Sequence, residues 1–539
     1  MGAIVVIGAG VAGACVVERI CAHAPRPGGE RAVEVHVVDP DPSGMGPAWG
    51  DAEHAYEWMA CDQPDGGRTA RDQPDGGRTA RDQPDGGRTA RDGQGGGRTV
   101  RDGRGGVRVR VHRDRAVGLT ESAGRQLVRL AGGETLRADA VVLAQDRPRV
   151  PPGRPEHGEA DFAARHGLLY LPGGSSQEDV PPGEPVLVRG AGRVFTDLLA
   201  PLTTGRGGRF SEGRKGELVY LPGGYEPLLY VGSRRGVPHH ARPGYRLTGE
   251  ARPRRFPDEA DARQAVAKEL AYVYYQELFT AHPSRTRTTW EAFEEAFARA
   301  EQGGKEMRAL ITKSVPRFAD RLHLDRLDRP LRGMRFGDLT GLQRWMHGYL
   351  AADLKRRADP GFSPDLALVH ALLDAGLRMA GDPWFDGLSG LLADGPSLSR
   401  QAELHALARA GVVTFIGAEP RIEQDEDGWR ASGPTVPGVT RARTLIEARR
   451  PRSGLTGDAD PLIASLRARG ECRELAGLLD VRLPDGRLVT GDGAVHGRRF
   501  AVGSLVEGGD GPPGLPRRAE AVARAVLSQV SGTLVHAAA

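Results

Sequence analysis

The sequence predicts an α/β fold with two strand–glycine–helix units, the first discontinuous, and a helical region. Three observations predict it. The apolar run Ala3–Ile7 meets GAGVAG at 8–13, the run PVLVR at 185–189 meets GAG at 190–192, and helical spacing fills 258–301 and 340–380.

In the first unit, Ala3–Ile7 reads as a buried parallel strand and 14–22 as the helix after the glycines. Gly8, Gly10 and Gly13 have separate tasks: a tight turn, close approach of backbone to a pyrophosphate, and close packing of helix on strand. The helix start offers unpaired N–H groups to phosphate. A second strand, VEVHVVD, ends in Asp39, where an acid accepts ribose hydroxyls. Gly8, Ala9, Gly10, Ala12, Gly13 and Asp39 are therefore candidate dinucleotide-binding residues. Further on, 107–114 and 126–133 alternate like the strands of a hairpin, and 136–148 reads as a buried strand ending in a loop.

Between these parts lies DQPDGGRTAR, present at 62–71, 72–81 and 82–91, with two decaying copies at 92–101 and 102–111. The intact repeat holds no large apolar residue. It cannot bury enough surface to offset a backbone entropy of about 1–2 kcal/mol per residue. The expectation for 62–106 is a disordered surface segment.

The second unit repeats the pattern with Gly190 and Gly192, but its third glycine position is Phe195. A hairpin over 208–224 leads to LLYVGS and then Arg234 and Arg235. Arginine at the end of this strand accommodates the 2′-phosphate of NADP, where an acid would select NAD. Two fingerprints in one chain suggest one flavin and one nicotinamide cofactor, FAD and NADPH, on a Rossmann-like two-dinucleotide fold.

In the helical region, Val266, Leu270, Val273 and Glu277 keep helical spacing, and Thr288 with Glu291 suggests a capping box. Trp290, Phe293 and Phe297 line one face and read as core. Strands at 412–417, 429–432 and 444–449 are expected to return to the first unit, closed by 498–504 and a helix at 517–529. The expected division is an FAD-binding domain in three parts (1–61, 107–180 and 401–539). The repeat (62–106), an NAD(P)-binding domain (181–256) and a helical cap (257–400) lie between them.

Other chemistry finds little support in the sequence. The pair His239-His240 has no carboxylate or Cys at ligand spacing, so no metal is expected. No catalytic side chain can be named from spacing, as expected where a cofactor performs the reaction. The formal net charge of +4 gives no footprint for nucleic acid or a membrane surface. The partner expected is a small-molecule substrate. Cys15, Cys21, Cys61 and Cys472 form no CxxC, no apolar run is long enough to span a bilayer, and a reduced cytoplasm fits.

Several segments together resemble a group of FAD/NAD(P)-binding flavoproteins that includes FAD-dependent urate hydroxylase and L-aspartate N-monooxygenase relatives. They include VVIGAGVAG (5–13), VHVVDPDPSGMGPAW (35–49), VLVRGAGRVFTDLLAPLTTGRGGRF (186–210) and EPLLYVGSRRGVPHHARPGY (226–245). The resemblance continues through 326–360, 384–396, 411–423 and 432–452. It implies a flavoprotein whose FAD is reduced by NAD(P)H. Gln145-Asp146 stands where the resemblance implies a glycine-bearing loop. Two readings follow: a monooxygenase hydroxylating a small polar or amino substrate, or a non-catalytic relative that keeps the fold as a binding or partner protein.

Overall fold

The structure is a computed structural model that describes residues 2–24, 33–40, 98–102, 107–145, most of 154–449 and most of 455–536. It forms two compact units, Met1–Pro148 with Gly454–Ala539, and Arg149–Ser453.

The first unit begins with β1 (Gly2–Ile7), the helix Val11–His23 and β2 (Val33–Val38). Next come β3 (Arg98–Asp102), β4 (Val107–His112), β5 (Ala116–Ser122), β6 (Arg125–Leu130), β7 (Thr135–Ala138) and β8 (Ala140–Leu143). β1 lies between β2 and β8 and is parallel to both, with Ile4 opposite Val35 and Ala140. Ile4, Val5 and Val6 are fully buried, the pattern of a parallel strand covered on both faces. On one face, Val16, Val17 and Ile20 of the first helix pack with Val522 and Val526 of the helix Leu515–His536. The other face packs Val5 and Ile7 with Leu119, Val128, Leu462 and Leu466.

Three expectations change here. Part of the decaying repeat is a strand: β3 pairs antiparallel with β4, Val100 facing Arg110. RTVRD alternates like VRVRV, and so matches a sheet edge that DQPDGG could not. Residues 62–97 lie outside the described residues. The hairpin partner of 126–130 is β5, whereas β4 joins β2. The stretch 136–148 divides, Leu136–Ala138 going to β7 in a separate antiparallel sheet and only 140–143 to the parallel one.

The second unit carries β9 (Leu169–Leu171), β10 (Pro185–Arg189), β11 (Arg209–Glu212), β12 (Leu218–Leu221) and β13 (Leu228–Ser233). After the helices come β14 (Val413–Ala418), β15 (Arg421–Asp425), β16 (Gly428–Ser432), β17 (Thr440–Ala442) and β18 (Thr444–Glu447). Its parallel sheet has the order β14-β13-β10-β18-β9. The strands at 412–417, 429–432 and 444–449 were expected in the first unit; β14 and β18 flank β13 and β10 instead, and β16 joins β15 and β17 in an antiparallel sheet of the second unit. Runs such as VTFIGA and TLIE fit the middle of any parallel sheet, so their composition carries no address.

The helices of this unit pack aromatic residues inward. Phe293 lies 4.5 Å from Phe279 and 5.5 Å from Tyr275, ring centroid to centroid. Phe293 and Phe297 are buried, as core residues. The cap of the helix Trp290–Arg299 is Thr289, one residue beyond the expected Thr288, and its hydroxyl accepts the Ala292 N–H. The chain then returns to the first unit with β19 (Glu474–Leu475), β20 (Leu478–Leu479), β21 (Val481–Arg482), β22 (Arg487–Val489) and β23 (Val495–Ala501). β23 completes the parallel part of the first sheet beside β8.

Candidate functional site

The first cradle lies where β1 ends. Gly8 turns the chain at φ +107°, and a Cβ there would stand 2.5 Å from the Gln145 nitrogen. A Cβ on Gly13 would stand 2.0 Å from the Gly8 carbonyl oxygen, so helix and turn touch backbone to backbone. Gly10 differs: among the described residues a Cβ there meets nothing within 4 Å. Gly10 is also the N-cap of the helix Val11–His23, which has no side-chain cap and no acid in its first turn. The first N–H groups of that helix are therefore offered to an anion. Ala9 is buried, and its N–H donates to Asp39 Oδ2 at 2.7 Å. Ala12 faces Gly503, where a Cβ would stand 2.6 Å from its own. The six candidates of the first fingerprint thus surround one helix start, with Asp39 at the end of β2. This arrangement suits an adenosine dinucleotide, whose pyrophosphate would be held at Gly10 and whose ribose would be held at Asp39.

The second cradle follows β10. Gly190 has φ +124°, and a Cβ there would meet the Ala448 carbonyl carbon at 2.6 Å. Gly192 caps the helix Arg193–Leu202, again without a side-chain cap. The His239 ring lies 3.0 Å from where a Gly192 Cβ would be. Phe195, at the third glycine position, is fully buried in the core with Val186, Val188 and Leu199. His239's neighbour serves a structural network. His240 Nδ1 is 2.6 Å from Asp353 Oδ1, and the Tyr349 hydroxyl is 2.9 Å from His240 Nε2. Burial works to raise the Asp353 pKa, but His240 and Arg357 outweigh it and hold the carboxylate below its ordinary value.

The two arginines after β13 have different surroundings. Arg235 donates through Nε to the Asp328 carbonyl at 2.8 Å and pairs with the Asp328 carboxylate. Arg234 is exposed and makes no ion pair among the described residues. Partial desolvation, with Arg235 and Arg329 close by, lowers its pKa from the ordinary arginine value, though it stays cationic. Of the two guanidinium groups, Arg234 is the less engaged among the described residues. The sequence carried no sign of Asp328, which lies 93 residues from Arg235.

A family model described as FAD-NAD(P)-binding matches residues 5–67 and 97–147. The L-aspartate N-monooxygenase (nitrosuccinate-forming) of Streptomyces davaonensis is 34% identical, over 87% of this chain and 85% of that protein. This chain belongs to the family of FAD- and NAD(P)H-dependent monooxygenases that includes that enzyme. The nitrosuccinic acid synthase of Aspergillus oryzae is 32% identical, over 94% of this chain and 88% of that protein. A second L-aspartate N-monooxygenase, from Streptomyces cremeus, is 32% identical, over 93% and 90%. As a member of this family the protein is an oxidoreductase acting on a small molecule. Among the described residues no helix is long and apolar enough to cross a membrane.

Proposed function

We propose that this flavin monooxygenase oxygenates the amino nitrogen of L-aspartate, with FAD in the first cradle and NADPH as reductant. The observation that carries the proposal is the similarity along 87% of the chain to an enzyme whose name states that reaction. Bound FAD supplies an acceptor for two electrons from NADPH and the means of activating O2. Each oxygenation consumes one NADPH and one O2, places one oxygen atom on nitrogen and releases the other as water.

The chain's own residues bind and orient. The open face of Gly10 admits a pyrophosphate to the helix start, and Asp39 holds the adenosine ribose. Gly190 and Gly192 form the corresponding turn for the nicotinamide dinucleotide, and Arg234 takes its 2′-phosphate with Arg235 beside it. Cys15, Cys21 and Cys472 are free thiols, which supports a reducing cytoplasm.

The experiment is an assay of the purified, FAD-loaded protein for NADPH oxidation, O2 uptake and nitrosuccinate. L-Aspartate should stimulate all three, and L-asparagine and L-ornithine should not. A flavin-loaded protein that oxidises NADPH equally with and without L-aspartate, and forms no nitrosuccinate, would overturn the substrate assignment.

A further inference from the structure

We propose that Gln145 and Asp460 form a flavin-binding pair, in which Asp460 orients the Gln145 amide so that its carbonyl oxygen accepts a hydrogen bond from a ribityl hydroxyl of FAD. The inference rests on the reading that FAD occupies the first cradle. It concerns Gln145, just beyond β8, which with Asp146 stands where the family resemblance implies a glycine-bearing stretch.

Position comes first. β8 and β2 flank β1 on opposite sides. The adenosine half of a dinucleotide lies towards Asp39 at the end of β2, and the pyrophosphate lies at the helix start between the two strands. The other half therefore passes over the end of β8. Gln145 is two residues beyond that strand, and its backbone nitrogen is 2.5 Å from the place a Gly8 Cβ would occupy. The first part of FAD past the pyrophosphate on this side is the ribityl chain.

Orientation comes from Asp460. The Gln145 Nε2 donates to Asp460 Oδ2 at 2.6 Å. Asp460 cannot swing away, because its Oδ1 accepts the N–H groups of Leu462 and Ile463 at 2.9 and 3.1 Å, capping the helix Pro461–Ala468. A flipped amide would set the Gln145 carbonyl oxygen against a carboxylate, so the orientation with Nε2 towards Asp460 is favoured. The consequence is a buried amide oxygen: Gln145 Oε1 has no hydrogen-bond partner among the described residues. Such an atom is costly unless a donor reaches it.

The chemistry of that atom selects its ligand. Oε1 can only accept, and a pyrophosphate offers no donor. A carboxylate so near would also repel phosphate. The ribityl chain offers hydroxyl donors at this distance along the cofactor. Gln145 thus reads the segment that distinguishes FAD from ADP.

The test uses apo-protein and two probes, FAD and ADP, with affinities from flavin fluorescence quenching and calorimetry. Gln145→Leu keeps the volume and removes the acceptor; it should weaken FAD at least tenfold and leave ADP within twofold. Asp460→Asn keeps a capping oxygen but frees the amide to turn, and should weaken FAD less, with ADP again unchanged. An FAD analogue deoxygenated along the ribityl chain should bind wild type and Gln145→Leu equally. FAD affinity of Gln145→Leu within twofold of wild type overturns the proposal. So does an equal loss of FAD and ADP, which would mean damage to the whole cradle. Failure of the cradle reading itself looks different: wild type would bind neither probe.

Discussion

The Asp39 carboxylate accepts the Ala9 N–H at 2.7 Å, and the Asp39 N–H reaches the His112 carbonyl at 3.1 Å. The acid at the end of β2 therefore ties the glycine turn to two neighbouring strands, besides standing where an adenosine ribose would lie. These roles separate by substitution. Asp39→Asn keeps an oxygen for Ala9 but loses the charge that favours two ribose donors; Asp39→Ala loses both. Flavin affinity should fall about tenfold in the Asn variant, as for one charge-assisted hydrogen bond, and the melting midpoint should drop only in the Ala variant. Thermal unfolding of both apo-proteins checks it, and equal midpoints would show that the Ala9 contact is not stabilising.

The glycines of the first cradle should also divide. Among the described residues a methyl on Gly10 meets no atom within 4 Å, whereas one on Gly13 would lie 2.0 Å from the Gly8 oxygen. Gly10→Ala should fold with an unchanged melting midpoint and lose bound flavin, because the methyl occupies the space of the pyrophosphate. Gly13→Ala should fold poorly, expressed as insoluble protein or a midpoint lowered by several degrees. The visible spectrum and a melting curve of each variant decide the matter. Flavin retained at wild-type occupancy in Gly10→Ala would remove the cradle from the first fingerprint.

The difference between what was legible in the sequence and what was not has a physical origin. Gly8, Gly10 and Gly13 were legible because strand, turn and helix are contiguous, and each glycine answers a local steric demand. Phe195 marked a departure in the second cradle, and it proves to be a buried core residue. The placement of β14 and β18 was not legible, because parallel strands share one apolar composition and pairing is decided across hundreds of residues. Separation along the chain also hid Asp328 from Arg235, 93 residues apart, and Asp460 from Gln145, 315 residues apart. Only the fold brings those partners together.

The unequal surroundings of Arg234 and Arg235 lead to a prediction about the reductant. Arg235 is held by Asp328, so its side chain is largely committed, whereas Arg234 stands exposed beside it. Arg234→Ala should raise the Kd for NADPH about tenfold and leave NADH unchanged, the effect of losing one charge-assisted contact. Arg235→Ala should have a smaller effect on NADPH binding. Stopped-flow reduction of the flavin with each nucleotide measures both. Equal affinity of the wild type for NADH and NADPH would show that neither arginine meets a 2′-phosphate.

Deletion experiments separate the repeat from the sheet edge. Residues 98–102 form β3 against β4, so removing 62–106 strips an edge strand, and removing 62–97 leaves it in place. The shorter deletion should keep the melting midpoint within about 2 °C, because loop-closure entropy varies slowly with length. The longer one should lower it further, by several degrees. Calorimetry of the two proteins compares them directly. A large loss from the shorter deletion would mean that the intact decamers contribute to the fold.

The last prediction concerns acid. Arg499 is 1% exposed, donates from Nε to Gln126 Oε1 at 2.7 Å, and pairs through Nη1 with Glu471. Glu471 also accepts Arg469 Nε at 2.8 Å. The Arg469 hydrogen bond, opposed by burial and reinforced by Arg499, holds the Glu471 pKa down at about 2. A carboxyl depressed in the folded state stabilises it fully above the ordinary carboxyl value. That contribution is lost as the pH falls from the ordinary value of 4.5 towards about 2. Glu471→Gln should therefore destabilise the first unit most at neutral pH, where it leaves the buried Arg499 charge without its counter-ion. The loss should be about 3 kcal/mol, the lower end for breaking a buried pair, because the Glu471 side chain is 30% exposed. Urea unfolding of wild type and variant at pH 7 and pH 3 should show the gap narrowing at the lower pH. A gap independent of pH would place the depressed carboxyl elsewhere.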